Sequence, residues 1–129
     1  MKKIFILSIC SLFFLTSVTF AVNANIVSLN FNDNNPPDPP VITGPSSGKI
    51  KETYTYDVTV SDPDEEDIII NIQINFGDKT ITCGGCDGLG PWNSGDVQAF
   101  EHYWRRTGTF EVTARAQDSH GVWSEWSDP

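Results

Sequence analysis

Beyond Pro40, apolar and polar residues alternate with a period of two through most of the chain. Tyr54, Tyr56, Val58 and Val60 fall on one face, with Thr55, Asp57 and Thr59 between them. Ile68, Ile70, Ile72, Ile74 and Phe76 alternate with Ile69, Asn71, Gln73 and Asn75. Phe110, Val112, Ala114 and Ala116 alternate with Glu111, Thr113, Arg115 and Gln117. In an extended chain successive side chains point to opposite faces, so each segment predicts a half-buried antiparallel strand. Weaker alternation predicts four more strands at residues 41–44, 79–82, 97–104 and 122–127. Turn chemistry separates them: Gly44-Pro45, Ser61-Asp62-Pro63-Asp64, Gly77-Asp78, Gly108 and Ser119-His120-Gly121. About seven short strands of this kind describe an all-β, immunoglobulin-like antiparallel sandwich.

The first residues follow another rule. Lys2 and Lys3 precede an apolar run over residues 4–20, and small residues follow at Ala21 and Ala24. A basic start, an apolar middle and small residues at the cleavage positions predict a secretory signal peptide over residues 1–24. Cleavage after Ala21 is the near alternative; an uncleaved membrane anchor is the other reading, and a membrane is a partner only in that case. Residues 25–39 form an Asn/Pro-rich linker, whose prolines predict a semi-rigid extended spacer. Val27, Leu29 and Phe31 are either a short strand or a remnant beside the cut. The sandwich domain then spans residues 40–129.

Charge removes one class of partner. The chain has 8 basic and 17 acidic groups, a formal net charge of −9. A nucleic-acid partner needs a positive footprint that this chain does not have, and an anionic membrane surface needs the same. Apolar content of 39% argues against an acidic disordered chain.

The motifs then become recognisable. Ser61-Asp62-Pro63-Asp64 precedes a strand ending Asn75-Phe76-Gly77-Asp78; His102-Tyr103-Trp104, Gly108-Thr109-Phe110 and Ala116-Gln117-Asp118-Ser119-His120-Gly121 follow in that order. This arrangement resembles the PKD domain, an immunoglobulin-like module of secreted and cell-surface proteins, over residues 40–129. Where the family reads Trp-Gly-Asp-Gly, this chain reads Phe76-Gly77-Asp78-Lys79, which leaves the turn type open. The resemblance implies adhesion, spacing or ligand contact beside a separate catalytic or anchoring domain, and no reaction of its own. It also implies that a chain stopping at Ser127-Asp128-Pro129 is a fragment of a longer product.

Four features invite chemistry. Asp62, Asp64 and Asp67, with Glu65 and Glu66, crowd one loop, and the sandwich topology puts Asp118 at the same end. Clustered carboxylates repel unless solvated or neutralised. Calcium accepts irregular oxygen-rich loops, so Asp62, Asp64, Asp67 and Asp118 are the candidate metal ligands and Ca²⁺ the candidate cofactor. A solvated acidic turn is the plainer reading. Cys83-Gly84-Gly85-Cys86 has redox spacing but sits in a Gly-rich loop after a strand; with Cys10 lost with the leader, a Cys83–Cys86 disulfide staple is expected. Such a small loop would gain about 2 kcal/mol. Zinc would need more ligands than two thiols and two distant histidines supply.

Trp123-Ser124-Glu125-Trp126-Ser127 is similar to the W-S-x-W-S motif of cytokine receptors, whose arginines stack between the tryptophans. By that likeness Arg115 would stack on Trp123 or Trp126; the alternative places these rings in the core. Trp92, in a Gly-rich polar loop, is the candidate ligand-contact residue, with a lid over the sandwich edge as the competing role. His102 reads as a core histidine. No nucleophile is placed beside a base and an orienting acid, so the chain is not expected to be an enzyme.

The expected function is a non-catalytic extracellular adhesion, spacer or ligand-contact module, secreted or at the cell surface. Its partner would be a protein or a carbohydrate. The alternatives are an accessory domain of a secreted hydrolase, a carbohydrate-binding module, and a redox protein using Cys83 and Cys86.

Overall fold

The computed structural model describes residues 33–129. The signal peptide, Cys10 and the Val27, Leu29, Phe31 alternation lie outside the described residues. Six strands form: β1 (Val41–Thr43), β2 (Tyr54–Thr59), β3 (Ile69–Asn75), β4 (Ile81–Cys83), β5 (Val97–His102) and β6 (Thr113–Asp118). They build two antiparallel three-stranded sheets, ordered β1-β2-β5 and β4-β3-β6. There is no helix among the described residues, and none long and apolar enough to cross a membrane.

The period-two pattern is what packs. Tyr56, Val58 and Phe100 of one sheet meet Ile72, Ile74, Ala114 and Ala116 of the other, and Val60, Ile69 and Phe76 complete the core. Residues with β-branched side chains suit this pleated, facing arrangement. At about 1.5–3 kcal/mol for each large side chain removed from water, this layer is the main favourable term. At one end Phe76 stacks on His102 with ring centroids 4.1 Å apart, and Trp104 meets Phe76 edge-on at 6.2 Å. His102 Nε2 lies 2.9 Å from Asp78 Oδ2, so it serves the packing of this end, as expected. Burial works to raise the Asp78 carboxyl, but hydrogen bonds from His102 and Thr80 outweigh it and hold it below its ordinary value.

The structure departs from the sequence reading at several points. Along β3 the alternation slips: Ile69 is fully buried and Ile70 faces solvent, with a register shift between Ile69 and Asn71. A bulge adds one residue to a strand, so the inward set starts at Ile69 and resumes at Ile72 rather than running through Ile68 and Ile70. The expected seventh strand, residues 122–127, lies extended along β6 without forming a regular ladder. Ser124 N–H donates to Ala116 O and Ser127 N–H to Ala114 O, each at 2.8 Å. The return bonds from the Ala116 and Ala114 amides, 3.0 Å each, end on the Ser124 and Ser127 hydroxyls instead of carbonyls.

The turn left open by Lys79 is also resolved. Gly77 and Lys79 both have positive φ, 76° and 74°. Lys79 therefore occupies the left-handed backbone conformation that glycine adopts without a Cβ penalty. Finally, the compact unit runs Asn34–Pro129, beginning earlier than residue 40. Pro37 and Pro40 are buried, the Asp38 amide donates to Ser61 O, and the Ser61 hydroxyl donates to Asp38. The second part of the linker is thus laid against the sandwich.

Candidate functional site

The up-and-down course of the strands sorts the loops into two ends. Residues 33–40, 60–68, 84–96 and 119–121 share one end and contain no Lys or Arg. The loops at the other end carry Lys49, Lys51, Lys79, Arg105 and Arg106. A low-dielectric body with one sign of charge gathered at one pole draws counter-ions there.

Two trios of ligand-bearing residues lie at the acidic end: Asp62, Asp64 and Asp67, and Asp67, Asp118 and His120. Within each trio one donor atom per residue lies within 4.8 Å of the others, and Asp67 belongs to both. The folding of each segment explains the convergence. Asp62 Oδ1 accepts from the Asp64 amide at 2.9 Å, the turn bond expected of Asp-Pro-Asp. Asp67 N–H donates to Asp64 O, closing the loop. Asp118 ends β6, and its Oδ1 accepts from the Val122 amide at 2.8 Å across a turn in which Gly121 has φ 85°. His120 Nδ1 sits 3.2 Å from Asp67 Oδ2.

Two residues the sequence reading left in the linker complete the cluster. Asn34 Nδ2 donates to Asp118 Oδ2 at 2.9 Å. Asn35 holds Asp64 with its amide at 2.7 Å and its Nδ2 at 3.1 Å. Asp62 is 6% exposed and Asp118 fully buried. Among the described residues, the remaining Asp62 oxygen, Oδ2, is buried without a hydrogen-bond partner, and so is Asn34 Oδ1. Burial, with the charges of Asp67, Asp64 and Asp118, pushes the Asp62 carboxyl above its ordinary value, against the pull of the Asp64 amide. Burial works the same way on Asp118, but bonds from Asn34, Val122 and the His120 amide overcome it and hold that carboxyl low.

An unpartnered buried carboxylate oxygen is costly unless something fills its place. The donors here are carboxylate and amide oxygens on irregular loops, with a single imidazole at the margin. That set suits a hard divalent cation such as Ca²⁺ and does not suit a thiolate-seeking metal.

The other candidate residues fall elsewhere. Trp92 is a correction: it is 6% exposed and belongs to the core, so it has no ring face to offer a ligand. Its backbone exchanges bonds with Ile69 at 2.8 and 2.9 Å, and its ring lies over Gly90, where a Cβ would meet it at 2.6 Å. Cys83 and Cys86 are disulfide-bonded, their Cα atoms 5.6 Å apart. The glycines between them let the loop press against β3, since a Cβ on Gly85 would strike the Ile70 carbonyl. The Arg115 guanidinium lies 4.3 Å from the Trp123 ring centre and 4.8 Å from that of Trp126, and Gln73 Oε1 accepts from it twice. Both rings are engaged rather than one, and neither is in the core. This surface ladder rests on β3 and β6 beside Asn71, Asn75 and Gln117.

No protein-family model and no curated protein matches the chain. Among solved structures, the PKD domain of an M14-like peptidase from Thermoplasmatales archaeon SCGC AB-540-F20 is similar, with 35% identity and a TM-score of 0.62. The match covers 72% of this chain and 90% of that one.

Proposed function

The chain belongs to the PKD domain family, and from that we propose that it is a non-catalytic accessory module of a secreted or cell-surface protein. It acts as a rigid spacer whose acidic end holds Ca²⁺. One observation carries the spacer reading. Asn34 is bonded to Asp118, at the end of β6, while Ser127 is paired with Ala114, near its start. The chain therefore arrives at one pole and departs toward the other. The polarity spans the length of β6, on the order of 15 Å at about 3.3 Å per residue. A module threaded in this way separates its neighbours by its own long axis. The similar domain is part of a peptidase, and that supports a hydrolase as the neighbouring domain here.

Calcium is supported by the unpartnered Asp62 oxygen among carboxylates that share one pole. Asp62, Asp64, Asp67 and Asp118 are the proposed ligands. A second reading, contact with an extracellular protein or carbohydrate, is favoured by Trp126, which is 38% exposed at the end of the Arg115 ladder, next to a row of neutral amides. Trp92 takes no part in it.

The spacer reading is tested with fluorophores placed before residue 34 and after residue 129 of the processed chain. Energy transfer should report one narrow separation that holds as flanking sequence is lengthened on either side. A broad distribution, or labels that lie close together, would refute it.

A further inference from the structure

The outer face of the β4-β3-β6 sheet follows from the alternation that built the core. Ile72, Ile74, Ala114 and Ala116 are buried, so the residues between them turn outward. Strand register sets these in rows: Asn71 beside Gln117, Gln73 beside Arg115, and Asn75 beside Thr113. At the last row the surface opens into a groove of about 500 Å³, lined by Asn75, Gly77, Thr109, Glu111 and Thr113. One wall needs a glycine: a Cβ on Gly77 would come within 2.8 Å of the Glu111 amide nitrogen, so only its absence lets the turn after β3 close against the segment before β6. We propose that this groove and Trp126 together bind a neutral polysaccharide, an extended β-linked hexose chain, with one sugar stacked on the indole and the next seated in the groove. This rests on the reading of Trp126 as a contact residue and names its ligand.

The order of contacts places the ring beside the groove. Trp123 bridges to Gln117, Arg115 lies against both rings, and Ser127 is bonded to Ala114. The ladder therefore runs from the Gln117 row toward the Thr113 row, with Trp126 last. Arg115 takes one face of the Trp126 ring, which puts the other on the groove side, and the residue is 38% exposed. A ring already held by a guanidinium has little freedom left to lose when a ligand stacks on it.

A sugar ring offers C–H groups on its faces and hydroxyls around its rim. The first suit an indole; the second suit side chains that donate and accept. Gln73 Oε1 is spent on Arg115, and Asn75 Oδ1 accepts from the Gly77 amide. With those oxygens occupied, the two side chains offer donors. Glu111 and Thr109, both exposed, supply acceptors at the groove. Charge narrows the ligand further. The Glu111 carboxylate and a net charge of −9 work against a uronate or other anionic polymer. A protein partner would seek an apolar centre, whereas these rows are built from amides and a hydroxyl. A flat face also accepts an extended chain, and a β-1,4 linkage keeps successive sugars in such a ribbon.

The test titrates the processed chain, disulfide intact, with cellohexaose and with β-1,4-mannohexaose by calorimetry, and with hexagalacturonate as the anionic comparison. At least one neutral hexasaccharide should bind, and more tightly than hexagalacturonate. Trp126→Ala should weaken that binding by about tenfold or more, and so should Thr113→Lys, which fills the groove from an outward position and leaves the core untouched. Circular dichroism matching the original shows that each variant keeps the sandwich. If Trp126→Ala weakens binding and Thr113→Lys does not, the groove is overturned and the contact through Trp126 stands. If only Thr113→Lys matters, the reading of Trp126 fails and the proposal with it; if neither matters, both fall. If hexagalacturonate alone binds, or none of the three does, the neutral glycan is overturned.

Discussion

Replacing Trp92 by alanine is expected to cost about 3–5 kcal/mol of unfolding free energy, a large share of the 5–15 kcal/mol typical of a domain. Its ring fills the space between Gly90, Gly84 and the core next to Phe100, and its Nε1 donates to Gln98 at 3.3 Å. The two backbone bonds to Ile69 survive the change, so the loss reads the side chain alone. A cavity lined by two glycines has few side chains that can move in to fill it, which puts the cost toward the upper part of the range. The denaturant midpoint should fall with the slope unchanged. A ring that merely touched a ligand from a surface loop would leave stability within about 0.5 kcal/mol, and that result would contradict its place in the core.

Asp118→Ala separates two views of the acidic end by sign. If the cluster were a solvated loop of mutually repelling charges, deleting one would stabilise the fold. The geometry predicts the reverse, a loss of about 2–4 kcal/mol in the absence of metal. Asp118 is fully buried and accepts from Val122 and from Asn34, and those donors would be stranded. Its carboxyl is held below the ordinary value, as is that of Asp78. A depressed carboxyl binds its proton later than in the unfolded chain. Its contribution is therefore complete above the unfolded value, near 4, and is lost as pH falls through the lower folded value. Asp62 is raised, so its contribution runs the other way: protonation on acidification relieves strain in the folded state. Chemical denaturation across the acid range should show the Asp118→Ala loss shrinking as pH falls below 4. A gain in stability at neutral pH would sink this assignment.

The architecture was largely legible in the alternation, because a period of two carries both the strand and the face it buries. Tyr56, Val58, Val60, Ala114 and Ala116 are inside for that reason. The stacking of Arg115 was legible only through the likeness of Trp123-Ser124-Glu125-Trp126-Ser127 to the cytokine-receptor motif, which offered one ring or the other, with alternation placing Arg115 on the outer face; both rings are engaged. What local pattern could not carry was long-range closure. The bulge that turns Ile69 inward depends on its exchange of bonds with Trp92, more than twenty residues away, and the same pairing is what buries Trp92. The loop composition around Trp92 suggested exposure because glycines were read as freedom; Gly90 instead makes room for the ring. Residues 122–127 carry the composition of a strand, yet serine hydroxyls replace half of its ladder.

At the acidic end, the loop register of Asp62, Asp64 and Asp67 was visible as turn chemistry, and topology alone predicted the approach of Asp118. Asn34 and Asn35 were missed because a run of Asn and Pro has the composition of a spacer. Their side chains matter only once the chain folds back onto carboxylates some thirty and more than eighty residues away. The one available hint was the position of the run, next to a loop rich in unneutralised acid.

A cation at that pole is the central proposal, and thermal unfolding of the processed chain tests it directly. At calcium a hundredfold above its dissociation constant, binding to the folded state alone would contribute about 2.7 kcal/mol. For a domain of this size that corresponds to a rise in midpoint of roughly 10–20 °C relative to EDTA. Asp62→Asn should abolish the shift. A midpoint that stays put in millimolar calcium, or one that moves equally in Asp62→Asn, would contradict it.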